Sequence, residues 1–311
     1  MKKYQLLYII LTGAFFGSLF SPGISQSMIV MKKQWGEFGD KPGQLKFPTM
    51  IVADKASNIY VVDQHNHRIQ KFDSEGNFIL MWGKQGEKTG EFNYPYGIAI
   101  DSKGNIYISD MNNNRIQKFS SNGEFLATAG SYGTEDGQLK YPYGIAVGQD
   151  DVVYVVDAFN YRIQKFSSEL KFLSKWGNQE SIGFKLYMPH ELAITKEGNL
   201  ILSDRQNHRI SIFTRDGTLV KRFGEFGEGR DSGINQFSEP HGVAVNEFGE
   251  IFVCDRYNFR IHKFNSNGEN LVQWQTPGVL DDSKHFPLGI TTGKNGSIFV
   301  TDQFAHCVQK Y

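Results

Sequence analysis

The sequence predicts an all-β protein, a six-bladed β-propeller, and three observations predict it. A segment of the form Pro-x-Gly-Ile-Ala recurs six times, starting at Pro48, Pro95, Pro142, Pro189, Pro240 and Pro287. The spacing is 47 residues throughout, except 51 between the fourth and fifth. That period belongs to units of several strands rather than to helical solenoids. Composition agrees, because 33 glycines, 14% aromatic residues and the lack of long helix-period apolar stretches suit many short strands joined by tight turns.

Each repeat reads as four strands, a to d. Strand a is the Pro-x-Gly-Ile-Ala segment. Strand b is a β-branched and aromatic run ending in Asp63, Asp110, Asp157, Asp204, Asp255 or Asp302. Strand c is Arg-Ile-Gln-Lys-Phe, whole at 68–72, 115–119 and 162–166, and strand d carries an aromatic at Trp82, Trp176, Phe223 and Trp274, with Ala129 in the second repeat. Turns such as Asp73-Ser-Glu-Gly-Asn join c to d with residues that tolerate positive φ. The chain ends at Tyr311 on a strand c, while Trp35 stands 47 residues before Trp82. The segment around Trp35 is therefore expected to supply the missing d strand of the last blade and to remove two open sheet edges.

Residues 1–27 form a separate object. Lys2 and Lys3 precede an uncharged run from Leu6 to Phe20, followed by Ser21-Pro22-Gly23 and small residues up to Ser27. This is the pattern of a secretory signal peptide, too short in its apolar core for a comfortable membrane span, with an uncleaved anchor as the alternative. The propeller then occupies 28–311, and the expected location is secreted, periplasmic or in the cell envelope. Removing 1–27 leaves 31 basic against 33 acidic residues, a net charge of −2. That balance argues against a nucleic-acid partner. Cys254 and Cys307 are too few for a disulfide framework and read as two separate buried thiols.

The recurring Pro-x-Gly-Ile-Ala, Ile-Tyr-Val-x-Asp and Asn-x-Arg-Ile-Gln-Lys-Phe segments resemble the NHL repeat family from about residue 28 to the end. The resemblance implies the propeller fold and leaves function open, since similar propellers are RNA- or protein-binding modules, exported sensor domains and peptidyl-hydroxyglycine amidating lyases.

The repeats serve as controls for one another. The strand-b aspartates and Arg68, Arg115, Arg162, Arg209 and Arg260 recur in blade after blade and read as scaffold. Two positions that share the end of the ring formed by the d–a and b–c connections vary instead. After the repeat proline stand Thr49, Tyr96, Tyr143, His190, His241 and Leu288; after the aspartate stand Gln64, Met111, Ala158, Arg205, Arg256 and Gln303. Glu191 replaces a glycine found in four blades, and the four extra residues fall in the 225–239 connection. A ligand site is therefore expected at Tyr96, Tyr143, His190, Arg205, His241 and Arg256, cationic on one side and aromatic on the other. The expected role is a monomeric binding or interaction module for a protein, peptide or glycan outside the cytoplasm, with no catalytic residue and no cofactor assigned. The resemblance to the lyases implies an alternative in which His190 and His241 hold zinc, with Arg205 and Arg256 near substrate. That family uses three such histidines, and only two stand here, with Glu191 as a possible third ligand. A purely structural envelope scaffold is the remaining alternative.

Overall fold

The computed structural model describes residues 29–177, 185–229, 232–277 and 285–311. The segment read as a signal peptide lies outside the described residues. Among those described, no helix is long and apolar enough to cross a membrane.

The chain forms six four-stranded antiparallel sheets. In the first blade, Pro48–Ala53, Ile59–Asp63, Arg68–Phe72 and Phe78–Trp82 run from strand a to strand d. Blades two to five repeat that order from Pro95, Pro142, Pro189 and Pro240. The sixth sheet contains Pro287–Thr292, Ile298–Asp302 and Cys307–Lys310. Its fourth strand is Lys33–Trp35, which pairs Lys33 with Lys310 and Trp35 with Val308. Cys254 and Cys307 are both buried and unbridged, and burial pushes both thiols well above their ordinary range.

Two devices hold the ring. The first fastens loops. Asp63 is fully buried; its Oδ1 accepts from the Lys46 N–H at 2.7 Å and its Oδ2 from Arg68 Nε at 2.6 Å. The Arg68 fork then donates to the carbonyls of Asp40, Lys41 and Gln44, so one ion pair pins the whole d–a connection. Arg115, Arg162 and Arg260 repeat this with Asp110, Asp157 and Asp255. Blade six has no arginine at that position, and there His285 Nδ1 lies 2.8 Å from Asp302 Oδ2.

The second device locks one blade to the next. The strand-d aromatic of each blade meets the strand-c aromatic of its neighbour in Trp35–Phe72, Trp82–Phe119, Trp176–Phe213, Phe223–Phe264 and Trp274–Tyr311, with ring centroids 4.8 to 6.3 Å apart. The indole also covers a glycine in the neighbour's c–d turn, so that a Cβ at Gly76 would stand 2.5 Å from Trp35 and one at Gly217 2.5 Å from Trp176. Between blades two and three both halves change together. Ala129 replaces the indole and Leu170 replaces the glycine, packing in one apolar cluster. Leu170 holds φ 61°, a strained conformation for a residue with a Cβ, and its burial offsets that cost.

Two outcomes follow from these locks. Ala129→Trp alone should overpack by about 1–3 kcal/mol. Leu170→Gly alone should leave a cavity costing about 2–4 kcal/mol less the relieved strain. The double variant should recover most of the loss in urea unfolding midpoint, and purely additive midpoints would refute the exchange. Asp157→Ala should cost about 3–5 kcal/mol in the same assay, because it leaves the Arg162 guanidinium buried without its counter-charge.

Candidate functional site

Strand a begins with an irregularity in every blade: its register with strand b shifts between the repeat proline and the third residue after it. A bulge re-aims the side chains it contains. In blades two, four and six the freed backbone N–H is taken by a strand-b hydroxyl, as in Gly97 to Ser109 Oγ at 2.7 Å, Glu191 to Ser203 Oγ at 2.9 Å and Gly289 to Thr301 Oγ1 at 2.8 Å. The residue after each proline sits in this bulge, where the six inner strands come together.

Those bulges bring all six expected site residues into one connected group. Tyr96 and Tyr143 lie 4.9 Å apart, each is 5.0 Å from the His190 ring, and His190 is 4.0 Å from His241, all between centroids. The Tyr96 hydroxyl and His190 Nε2 are 2.9 Å apart. His241 Nδ1 lies 2.8 Å from the carbonyl of Glu239, so it carries the proton, and its Nε2 lone pair faces Arg256 Nη1 at 3.0 Å. Arg256 Nη2 donates to Gln303 Oε1 at 2.7 Å, and the guanidinium lies over the rings of Tyr257 and Phe286.

Arg205 joins through Glu239, a residue that sequence reasoning missed. The Glu239 carboxylate accepts from Arg205 Nε at 2.8 Å and Nη2 at 2.5 Å, and from Gln206 Nε2 at 2.9 Å. Its N–H donates to His208 Nδ1 at 3.1 Å. A signal was present, since Glu239 is the one charged residue among the six that precede a repeat proline: Phe47, Tyr94, Tyr141, Met188, Glu239 and Phe286.

Exposure divides the group. Tyr96, His190 and His241 are 7%, 2% and 1% exposed and, with Thr49 and Leu288, close the axis of the ring as a packed plug. Tyr143, Arg205 and Arg256 are half-buried and reach the surface. The expected ligand site is thus a surface of two arginines and a tyrosine over a filled plug. Burial, then the positive charges of Arg205 and Arg256, drive the His190 imidazole far below its ordinary range. Burial, His190 and the same two arginines do this to His241, and both rings are neutral at pH 7. Burial pushes the phenols of Tyr96 and Tyr143 upward.

The histidine pair does not fit zinc. The His241 Nδ1 carries a proton, and its Nε2 lone pair points at a guanidinium, which a metal ion would have to displace while two arginines repel it. Glu191 gives no third ligand, because it lies along the axial channel while His190 lies in the plug. Among the described residues no three side chains of metal-binding type converge.

Comparisons with known proteins agree with this architecture. A six-bladed β-propeller family model, DUF5128, matches residues 49–131, and the NHL repeat model matches 186–213 and 237–264. Protein brain tumor of Drosophila melanogaster is 38% identical over 94 residues, 29% of this chain and 8% of that protein. A probable peptidyl-alpha-hydroxyglycine alpha-amidating lyase of Caenorhabditis elegans, pgal-1, is 30% identical over 80 residues, 24% of this chain and 22% of that one. The matched region thus spans less than a quarter of either relative. A solved streptogramin B lyase superposes with a TM-score of 0.63 at 16% identity, covering 89% of this chain and 96% of the other, a likeness of fold alone. With its six four-stranded blades and these matches, the chain is a six-bladed β-propeller that carries NHL repeats.

Proposed function

We propose that this propeller is an exported binding module that captures a peptide or glycan bearing a carboxylate on the face formed by its d–a and b–c connections. The observation that carries the reading is the state of Arg256. Arg205 already shares its charge with Glu239, whereas among the described residues the partners of Arg256 are the neutral His241, Gln303 and aromatic rings, and its buried Nε has none. A guanidinium held in a fixed orientation with its charge unspent suits a carboxylate.

The surroundings support this. Among the described residues, Phe38, Tyr132, Tyr141, Phe159, Tyr187, Phe226, Ile234 and Phe304 are exposed large apolar side chains on this face, against Phe248 in the a–b turns and Phe78 and Phe125 beside the c–d turns of the other face. Such aromatics give contact area at low entropy cost to a peptide or to the apolar side of a sugar ring. The export part of the proposal rests on residues 1–27 and their signal-peptide pattern. The lyase alternative is weakened by the unsuitability of the histidine pair for zinc, and the relatives lend it only their fold and a short stretch of identity.

The test is a peptide array and a glycan array probed with residues 28–311 and with Arg256→Gln. The wild-type chain should select carboxylate-bearing members, and Arg256→Gln should weaken them about tenfold to a hundredfold, the cost of a lost charge-assisted pair. Arg205→Gln should have a smaller effect, since Glu239 already occupies that fork. Equal binding by wild type and Arg256→Gln would discard the site.

A further inference from the structure

The axis of the ring holds a cavity of about 220 Å³, walled by the inner strands of all six blades. Wall residues at the a–b turn end, such as Val52, Ile100 and Val245, are partly exposed, whereas those deeper in are buried. The plug of Tyr96, His190, His241 and Leu288 closes the far end. The cavity is therefore blind and opens on the face opposite the arginines. Its lining side chains are mainly aliphatic, interleaved with backbone polar groups, with Thr291 and Thr292 toward the mouth and one acidic residue, Glu191, at the plug end.

Glu191 is out of place in the repeat. Four of the other inner strands carry glycine there, and a Cβ at Gly97 or Gly242 would stand 2.3 Å from a neighbouring carbonyl oxygen. Blade four accepts a side chain of four more heavy atoms, which lies against Gly144 of blade three. The residue is 7% exposed. Its Oε1 accepts from the Leu192 N–H at 3.0 Å and the Ile145 N–H also faces the carboxyl, while the buried Oε2 has no hydrogen-bond partner among the described residues. A buried carboxyl oxygen that finds neither a donor when ionised nor an acceptor when protonated carries a penalty of about 1–3 kcal/mol.

We infer that the axial channel is a binding pocket for a small primary alkylammonium, with its charged head on Glu191 and its chain along the aliphatic wall. An anion would meet a carboxyl group. A hard metal cation needs six or more oxygens and favours several carboxylates, and among the lining side chains Glu191 alone carries one. A hydrocarbon would leave Oε2 unpaired in either protonation state. An ammonium supplies a donor, and its alkyl part matches the wall. At about 30 Å³ per water-sized group, the space holds on the order of seven heavy atoms.

The pocket also sets a pH signature. Burial raises the Glu191 carboxyl to about 8. The titratable groups near it are the Tyr96 phenol of blade two and the imidazole of His190 on its own strand, both neutral at pH 7. Glu191 is thus protonated at pH 7 and must release its proton to solvent to pair with an ammonium. Affinity should rise about tenfold per unit between pH 6 and pH 8 and then level off.

The experiment is titration of the protein with n-butylammonium chloride, followed by saturation-transfer NMR and calorimetry, with n-butanol as the uncharged probe. Saturable uptake of n-butylammonium, weaker uptake of n-butanol, the stated pH slope, and a loss of about tenfold or more in Glu191→Gln support the proposal. Glu191→Gly, which installs the residue of four other blades, serves where the glutamine variant fails to fold. Equal uptake of the two probes, unchanged affinity in a folded Glu191 variant, or no uptake at tens of millimolar each overturns it. Because the arginine face lies at the other end of the plug, failure here leaves the proposed carboxylate binding untouched.

Discussion

The structure depends on a carboxylate buried at the end of each strand b. A sheet of four short strands can tilt and slide against its neighbours, and the d–a connections carry only single bridges and one two-residue pairing of their own to prevent it. The aspartate removes that freedom by accepting one N–H from the connection and orienting an arginine whose remaining donors hold three of its carbonyls. Alone, such a charge in a protein interior would be expensive; with every lone pair and donor used it becomes a rigid bracket. The connections it holds are those that carry Glu239, Tyr141 and Tyr187, so the stiffness of the candidate binding face begins at Asp157, Asp204 and Asp255.

The same arrangement explains how six similar units produce one distinctive sector. The bulge at the start of strand a is common to all blades and sends one side chain per blade to the axis. Six side chains meeting at one point must fill it together. Tyr96, His190, His241, Leu288 and Thr49 do so with Tyr143 packed over them, and the two histidines stay neutral because they are buried and because charging them would place protons beside Arg205 and Arg256. The plug divides the ring into two separate environments: an aromatic face with arginines on one side, and an aliphatic channel ending in a carboxyl group on the other.

Most of the fold was legible in the sequence, because its determinants repeat. The proline, the aspartate and the strand-c arginine each mark the same location six or five times, and one marker misread would be corrected by the rest. The candidate residues were legible as departures from that repeat, and their convergence followed from the alternation of strand direction. Three things were not. Glu239 stands immediately before a repeat proline, outside the two varying positions that were compared from blade to blade. The difference between Arg205 and Arg256 depends on which of them that glutamate reaches, a matter of side-chain packing rather than of spacing. Whether the axis was open or filled depended on the combined volume of six side chains, which no single repeat reveals.

The paired change at Ala129 and Leu170 has a consequence for how such rings diversify. Starting from an indole over a glycine, a leucine introduced first would drive its side chain into the indole and adopt a left-handed backbone without compensation. An alanine introduced first leaves only a void, which the neighbouring strands can partly close and a later leucine can fill. The route between the two arrangements is therefore directional, passing through a loosened interface and not through a crowded one. Each blade boundary in such a ring is a separate lock whose two halves must be changed in order, so blades can exchange surface residues freely while their boundaries drift slowly and in pairs.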